Sequence, residues 1–203
     1  MKESENEKET DRIEAFSDGV FAFAITLLAL DLKVPQIGKN VDSHILLLNI
    51  FYEWPSFLGF IISFISILIM WVNHHGIFKH ICKINANLMF ANGFMLLLVI
   101  TVPFTTSMLA EYYLTPSSYI AAAFYTGSFV LINVSYNLLW AVATQNRTLL
   151  KSSVSEKTVK RLRRNYILGF PAYMLAFAIS FVSVELTIAI CFGLWIFWAI
   201  MIK

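Results

Sequence analysis

Long apolar runs separated by short polar clusters set the first-order pattern of this chain. Six stretches reach spanning length, at about residues 13–34, 52–76, 86–110, 118–144, 165–184 and 186–202. A helix needs roughly 20 residues to cross ~30 Å of hydrocarbon, so each is expected to be a membrane helix. Residues 44–51, HILLLNIF, are too few to span and are expected as an interfacial turn or an extension of the second helix. The fifth and sixth runs meet at Val184-Glu185-Leu186, which predicts a tight helical hairpin. Pro103 and Pro171 each interrupt one span and are expected as packing kinks.

Composition agrees with that pattern. The 203 residues are 58% hydrophobic and only 14% charged, against about 25% charged in soluble domains. The expected fold class is an all-α integral membrane protein, one domain over 1–203, with a flexible tail at 1–11 and a basic loop at 145–164. The first span is too long and too flanked by acids for a cleavable signal. Cys82 and Cys191 fall on different segments and read as apolar packing residues.

Charge placement gives direction. Of 15 Lys and Arg, 13 fall at the N-terminus, in 77–85, in 145–164 or at the C-terminus, leaving Lys33 and Lys39 on the other side. The positive-inside rule therefore predicts both termini in the cytoplasm of a multi-pass plasma-membrane protein. The run KTVKRLRRN at 157–165 invites an anionic-lipid or nucleic-acid reading. A topology anchor explains it equally well, and no nucleic-acid partner is expected.

One acid departs from the apolar pattern. Asp18 lies in AFSDGVFAFAITLLALDL, where an unpaired carboxylate costs roughly 2.5–3.5 kcal/mol at a helix centre. At 100° per residue, Gly19, Phe23, Thr26/Leu27, Leu30 and Val34 form one stripe, and Asp18, Ala22, Ile25 and Ala29 another. Asp18 stands about 140° from Phe23. Partners at its depth are Trp71, Asn73, His74 and His75 at the end of the second span, Asn92 in the third, and Arg12 at the rim. His74 and His75 are adjacent and so diverge by 100°, a poor arrangement for sharing one metal ion. Ser17 and Asp18 diverge likewise and form no catalytic dyad. Neither an enzyme, a metal nor a cofactor is expected.

These residues resemble a known family. RIEAFSDGVFAFAITLLALDL, with its Arg-x-x-x-Phe-Ser-Asp start, is similar to the first-helix signature of the transmembrane protein 175 family of endolysosomal-type potassium channels and bacterial homologues. FISILIMWVNHHGIFKHICKINANLMFANGFMLLLVITVPFTTSMLAEY, with Trp-x-x-His-His-x-x-Phe, resembles its second and third helices. The specific motifs cover residues 12–111; beyond them only hydropathy matches.

The resemblance implies a pore lined by the first helix and no Thr-Val-Gly-Tyr-Gly filter. It implies a homotetramer of single six-helix units, as in bacterial forms, passing K+ and other monovalent cations. Phe23, Thr26 or Leu27, and Leu30 would line the constriction. Arg12, Phe16, Ser17 and Asp18 would form a structural network with Trp71, His74, His75 and Asn92. The family usually carries Ile or Leu where this chain has Phe23. Thr26 has two readings, a hydroxyl ring in the pore or a bond back to its own helix. Two other functions compete: a proton-coupled transporter using Asp18 with His74 or His75, and a structural membrane protein.

Overall fold

The computed structural model describes residues 2–201 apart from 31, 33, 36, 39 and 40, with side chains described from Glu9 onward. The charges of Lys2, Lys8, Lys33, Lys39 and Lys203, used above for direction, lie outside the described side chains. The described backbone is helical: α1 (Lys2–Leu30), α2 (Ser43–Tyr52), α3 (Trp54–Phe78), α4 (Ala86–Val99), α5 (Val102–Tyr112), α6 (Ser118–Thr144), α7 (Glu156–Ile179) and α8 (Val184–Met201). Among the described residues five segments are long and apolar enough to cross a membrane, Glu9–Leu30, Trp54–Phe78, Ala86–Tyr112, Ser118–Arg147 and Val184–Met201, and the expected span at 165–184 is not one of them.

Local chemistry explains where the elements differ from the sequence pattern. The third expected span is two helices, α4 and α5, parted at Ile100–Thr101. Pro103 sits in the first turn of α5, where its missing N–H leaves the Val99 carbonyl without its usual donor. Pro171, by contrast, is accommodated inside α7. Residues 44–51 form their own helix α2 with no buried residue, cut from α3 by the turn at Glu53 and by Pro55. The basic run expected in a loop is helical. Ser155 caps α7 by accepting from the Thr158 N–H at 3.1 Å, so Lys157 to Arg164 occupy its first turns, and its apolar part begins only at Asn165.

Helix α6 is the centre of the bundle and packs against α4, α5, α7 and α8. Trp140, Tyr125, Phe129 and Leu139 on it are fully enclosed. Backbone polar groups in hydrocarbon need internal partners, and the inter-helix bonds of α6 include bonds to backbone carbonyls. Tyr136 donates to the Met70 carbonyl at 2.6 Å, and Asn137 to the Tyr166 carbonyl at 3.0 Å. At one end, the α3–α4 and α6–α7 connections are tied together. The Cys82 N–H donates to Leu149 and the Lys151 N–H to His80, both at 2.9 Å. Cys82 and Cys191 are both free thiols.

The tightest seam lies where α7 meets α6 and α8. A Cβ on Gly169 would stand 2.7 Å from the Trp198 ring and closer still to the Asn133 amide. Both neighbours are buried and held. Overpacking of this kind costs about 1–3 kcal/mol. Gly169→Ala is therefore expected to lower the midpoint of thermal unfolding in detergent, whereas Gly193→Ala, where a Cβ meets nothing within 4 Å, is expected to leave it unchanged.

Candidate functional site

Helix α1 lies on the flank of the bundle, against α3, α4 and α5. Its inner face is Thr10, Ser17, Phe21, Ala24 and Leu28, all buried. Its outer face is a seven-residue repeat in three rows. Phe16, Phe23 and Leu30 form the large row, 65%, 60% and 79% exposed. Arg12, Gly19 and Thr26 form the row beside it, and Ala15, Ala22 and Ala29 a small row beyond that, all exposed.

The expected stripe is therefore on the outer face, with Thr26 exposed and Leu27 half-buried at its margin. The grouping of Ala22 and Ala29 with Asp18 is corrected, because both are exposed while Asp18 is half-buried. A helical wheel gives angles between residues but not where the neighbours stand. Asp18 sits at the edge where α3 begins to cover the helix, and Ala22 and Ala29 fall just beyond that edge.

Asp18 does not meet the outer face alone. The Trp71 indole N–H donates to its Oδ1 at 2.7 Å. One turn away on both helices, Glu14 Oε1 pairs with His75 Nδ1. The rungs 14–75 and 18–71 run antiparallel, each pair spaced by four residues, and the Trp71 and His75 rings stack at 6.2 Å.

Behind this ladder runs a buried chain of hydrogen bonds. Ser17 donates to the Ile13 carbonyl at 2.8 Å and accepts from the Asn92 amide at 2.9 Å. That arrangement turns the Asn92 oxygen toward His74, which donates from Nε2 at 2.8 Å. The imidazole proton is thus on Nε2, and Nδ1 has no hydrogen-bond partner among the described residues. Phe21 and Phe78 flank the ring at 5.4 and 4.4 Å. Three helices, α1, α3 and α4, are joined by this one chain.

Of the expected network, Ser17, Asp18, Trp71, His74, His75 and Asn92 come together. Arg12 and Phe16 do not, being exposed on the outer face, and Arg12 makes no side-chain bond with another described residue. Asn73 donates within its own helix, to Ile69 at 2.8 Å. Glu14 was not anticipated, although its spacing of four from Asp18 matches the spacing of Trp71 from His75. Thr26 donates to the Phe23 carbonyl at 2.8 Å, leaving its oxygen lone pairs as acceptors on the outer face.

Asn92 is the joint of the buried chain. Asn92→Leu strands the Ser17 lone pairs and the His74 donor in an apolar setting, at a cost of about 1–3 kcal/mol per orphaned group. The expected result is a clearly lower unfolding temperature in detergent. Asn92→Asp, which keeps an acceptor for His74, should lose less.

Comparison with known proteins places this geometry. Residues 12–103 match the family described as endosomal/lysosomal potassium channel TMEM175. A protein named as a potassium channel from Chamaesiphon minutus is 44% identical over 200 residues, covering 98% of each chain. One from Streptomyces collinus, also named as a potassium channel, is 40% identical over 89% of this chain and 87% of its own. The Danio rerio protein named endosomal/lysosomal proton channel TMEM175 is 32% identical over 50% of this chain but only 20% of its own length. The crystal structure of a TMEM175 homolog from Chamaesiphon minutus, titled a lysosomal potassium-selective channel, superposes with a TM-score of 0.86 over 97% of this chain and 99% of that one. With the Arg-x-x-x-Phe-Ser-Asp helix braced on its Trp-His-His partner and relatives similar from end to end, this chain belongs to the TMEM175 family.

Proposed function

We propose that the protein is a potassium-permeable cation channel, a homotetramer of six-helix units whose axis is lined by the outer face of α1. The observation that carries this reading is the seven-residue repeat of exposed residues on that helix. A repeat of seven is what a helix offers to copies of itself, since 3.5 residues per turn keeps one seam facing inward along its length. Ala15, Gly19, Ala22 and Ala29 let neighbouring backbones approach closely. The large row then points Phe23 and Leu30 across the axis, with Thr26 between them. Full-length relatives named as potassium channels support the same reading.

Apolar rings gate by dewetting, because an ion sheds part of its hydration shell to cross a dry neck. Sodium holds its shell more tightly than potassium, so a neck of this kind favours potassium without carbonyl coordination. The outward lone pairs of Thr26 replace part of the lost water. Asp18, His74 and His75 are braces that hold α1 at a fixed angle to its own subunit, and a proton-coupled exchange cycle is disfavoured by the enclosure of His74. The basic ends of α6–α7 and α3–α4 face the cytoplasm, as do both termini, in the plasma membrane.

The test is passive flux from liposomes holding purified protein and a potassium gradient, with no proton gradient or second substrate. Potassium is expected to run down its own gradient. Flux that appears only when a proton gradient is imposed would instead make the protein a transporter, and no flux under any gradient would leave a structural role.

A further inference from the structure

The outward face of α7 changes chemistry along its length. Lys157, Lys160, Arg161 and Arg164 stand at i, i+3, i+4 and i+7, one stripe of the helix, and line a surface recess of about 490 Å³ together with Glu156. The same stripe then continues as Ile167, Leu168, Pro171, Met174 and Leu175, all exposed. From Arg164 to Leu175 the rise is about 16 Å at 1.5 Å per residue, close to half of the ~30 Å hydrocarbon core. The positive field at the charged end reaches inward as well. His80 is held below its ordinary range, first by burial and then by Lys151, Arg161 and Lys79.

A topology anchor requires positive charges on one side of the membrane but no particular register. Here the four cations share one helical stripe, and that stripe runs directly into an apolar one of single-leaflet length. Arg163 borders the stripe, three residues from Lys160 and four from Ile167, whereas Lys83, exposed in the α3–α4 connection, is a cation of the same membrane side that stands off α7. A phospholipid has the complementary shape and charge: an anionic phosphate at one end and an acyl chain about a leaflet long.

We propose that the outward stripe of α7 is a binding site for an anionic phospholipid of the cytoplasmic leaflet, its phosphate on Lys157, Lys160, Arg161 and Arg164 and its chain along Ile167 to Leu175. Basic clusters immediately cytoplasmic of membrane helices attract such headgroups. The proposal rests on the membrane direction given above but not on ion conduction.

The experiment uses the full-length protein in phosphatidylcholine vesicles, doped with spin-labelled phosphatidylglycerol or spin-labelled phosphatidylcholine. The motionally restricted fraction gives the relative association of the two lipids. Phosphatidylglycerol is expected to be favoured about threefold or more at low salt, and near equality is expected at ~1 M salt, where charge is screened. Lys157→Gln/Lys160→Gln/Arg161→Gln/Arg164→Gln should abolish the preference, and Arg161→Gln/Arg164→Gln, a milder change, should roughly halve it. Lys83→Gln, off α7, should leave it intact. Retention of the preference in the multiple-Gln variants overturns the site. So does an equal loss in Lys83→Gln, which would mean diffuse charge. Full competition by glycerol phosphate would assign the cluster to free phosphate and overturn the lipid. Potassium flux from the same vesicles reports on the channel separately, so a failure of one reading is not mistaken for a failure of the other.

Discussion

Phe23→Ala should raise cation leak through reconstituted protein by roughly tenfold or more and reduce its preference for potassium over sodium, because a dry neck is the barrier being removed. Phe23 is 60% exposed on the subunit although it lies in the middle of a membrane helix, so it packs on nothing within its own chain that would make the change a folding defect. In the proposed tetramer four phenyl rings would meet at one level and leave little space for a hydrated ion. Alanine would open that level to water, and the dehydration step that separates sodium from potassium would shrink with it. Phe23→Leu, a smaller apolar side chain, should give intermediate leak and retained preference. Liposome flux with each cation in turn reads both quantities. Unchanged flux and selectivity in Phe23→Ala would remove this residue from the ion path.

The second large effect is expected at the brace. Asp18→Ala orphans the Trp71 indole N–H that now donates to the carboxylate at 2.7 Å, and a hydrogen bond to a charged group is worth about 1.5–3 kcal/mol. The loss should appear as a lower unfolding temperature and a smaller tetramer fraction in detergent. Asp18→Asn keeps an acceptor oxygen for the indole and should lose less. Trp71→Phe should resemble Asp18→Ala, since it leaves the acid without its donor. A double-mutant cycle over the two sites should give a combined cost well below the sum of the singles. In channels that still open, the sodium-to-potassium permeability ratio is expected to be that of the unaltered protein. A large change in that ratio would place the carboxylate in the ion path instead.

Much of this arrangement was legible before any coordinates. The angle between Asp18 and Phe23 follows from residue count alone, and the structure keeps them apart, one half-buried against α3 and the other exposed. Trp71 is the Asp18 partner that depth and donor chemistry predict, whereas Asn92, expected at the same depth, bonds Ser17 and His74 instead. The Glu14–His75 rung is not predicted, because an acid at the end of an apolar run has solvent as an equally good partner until α3 is known to lie beside it. The membership of Ala22 and Ala29 in the outer face was missed for a related reason. Alanine has no chemistry of its own, so only the position of the neighbouring helices decides whether it is covered.

The element boundaries that failed were those set by competition between hydropathy and backbone chemistry. Residues 86–110 remain within one segment long enough to cross, and Pro103, expected as a kink, withholds a donor and parts it into α4 and α5. Charge alone predicts a loop for the basic run. Ser155 and Glu156 start a helix there, and lysine and arginine are good helix formers once a cap is in place.

The central claim is that the outer face of α1, and not Asp18, surrounds the path of the ion. It is tested most directly by imaging the purified protein in lipid nanodiscs at side-chain resolution. A four-fold assembly with Phe23, Thr26 and Leu30 on its axis, and Asp18 turned toward Trp71 of its own subunit, is the predicted result. An assembly in which these three residues face lipid, or in which Asp18 points to the axis, would contradict the account.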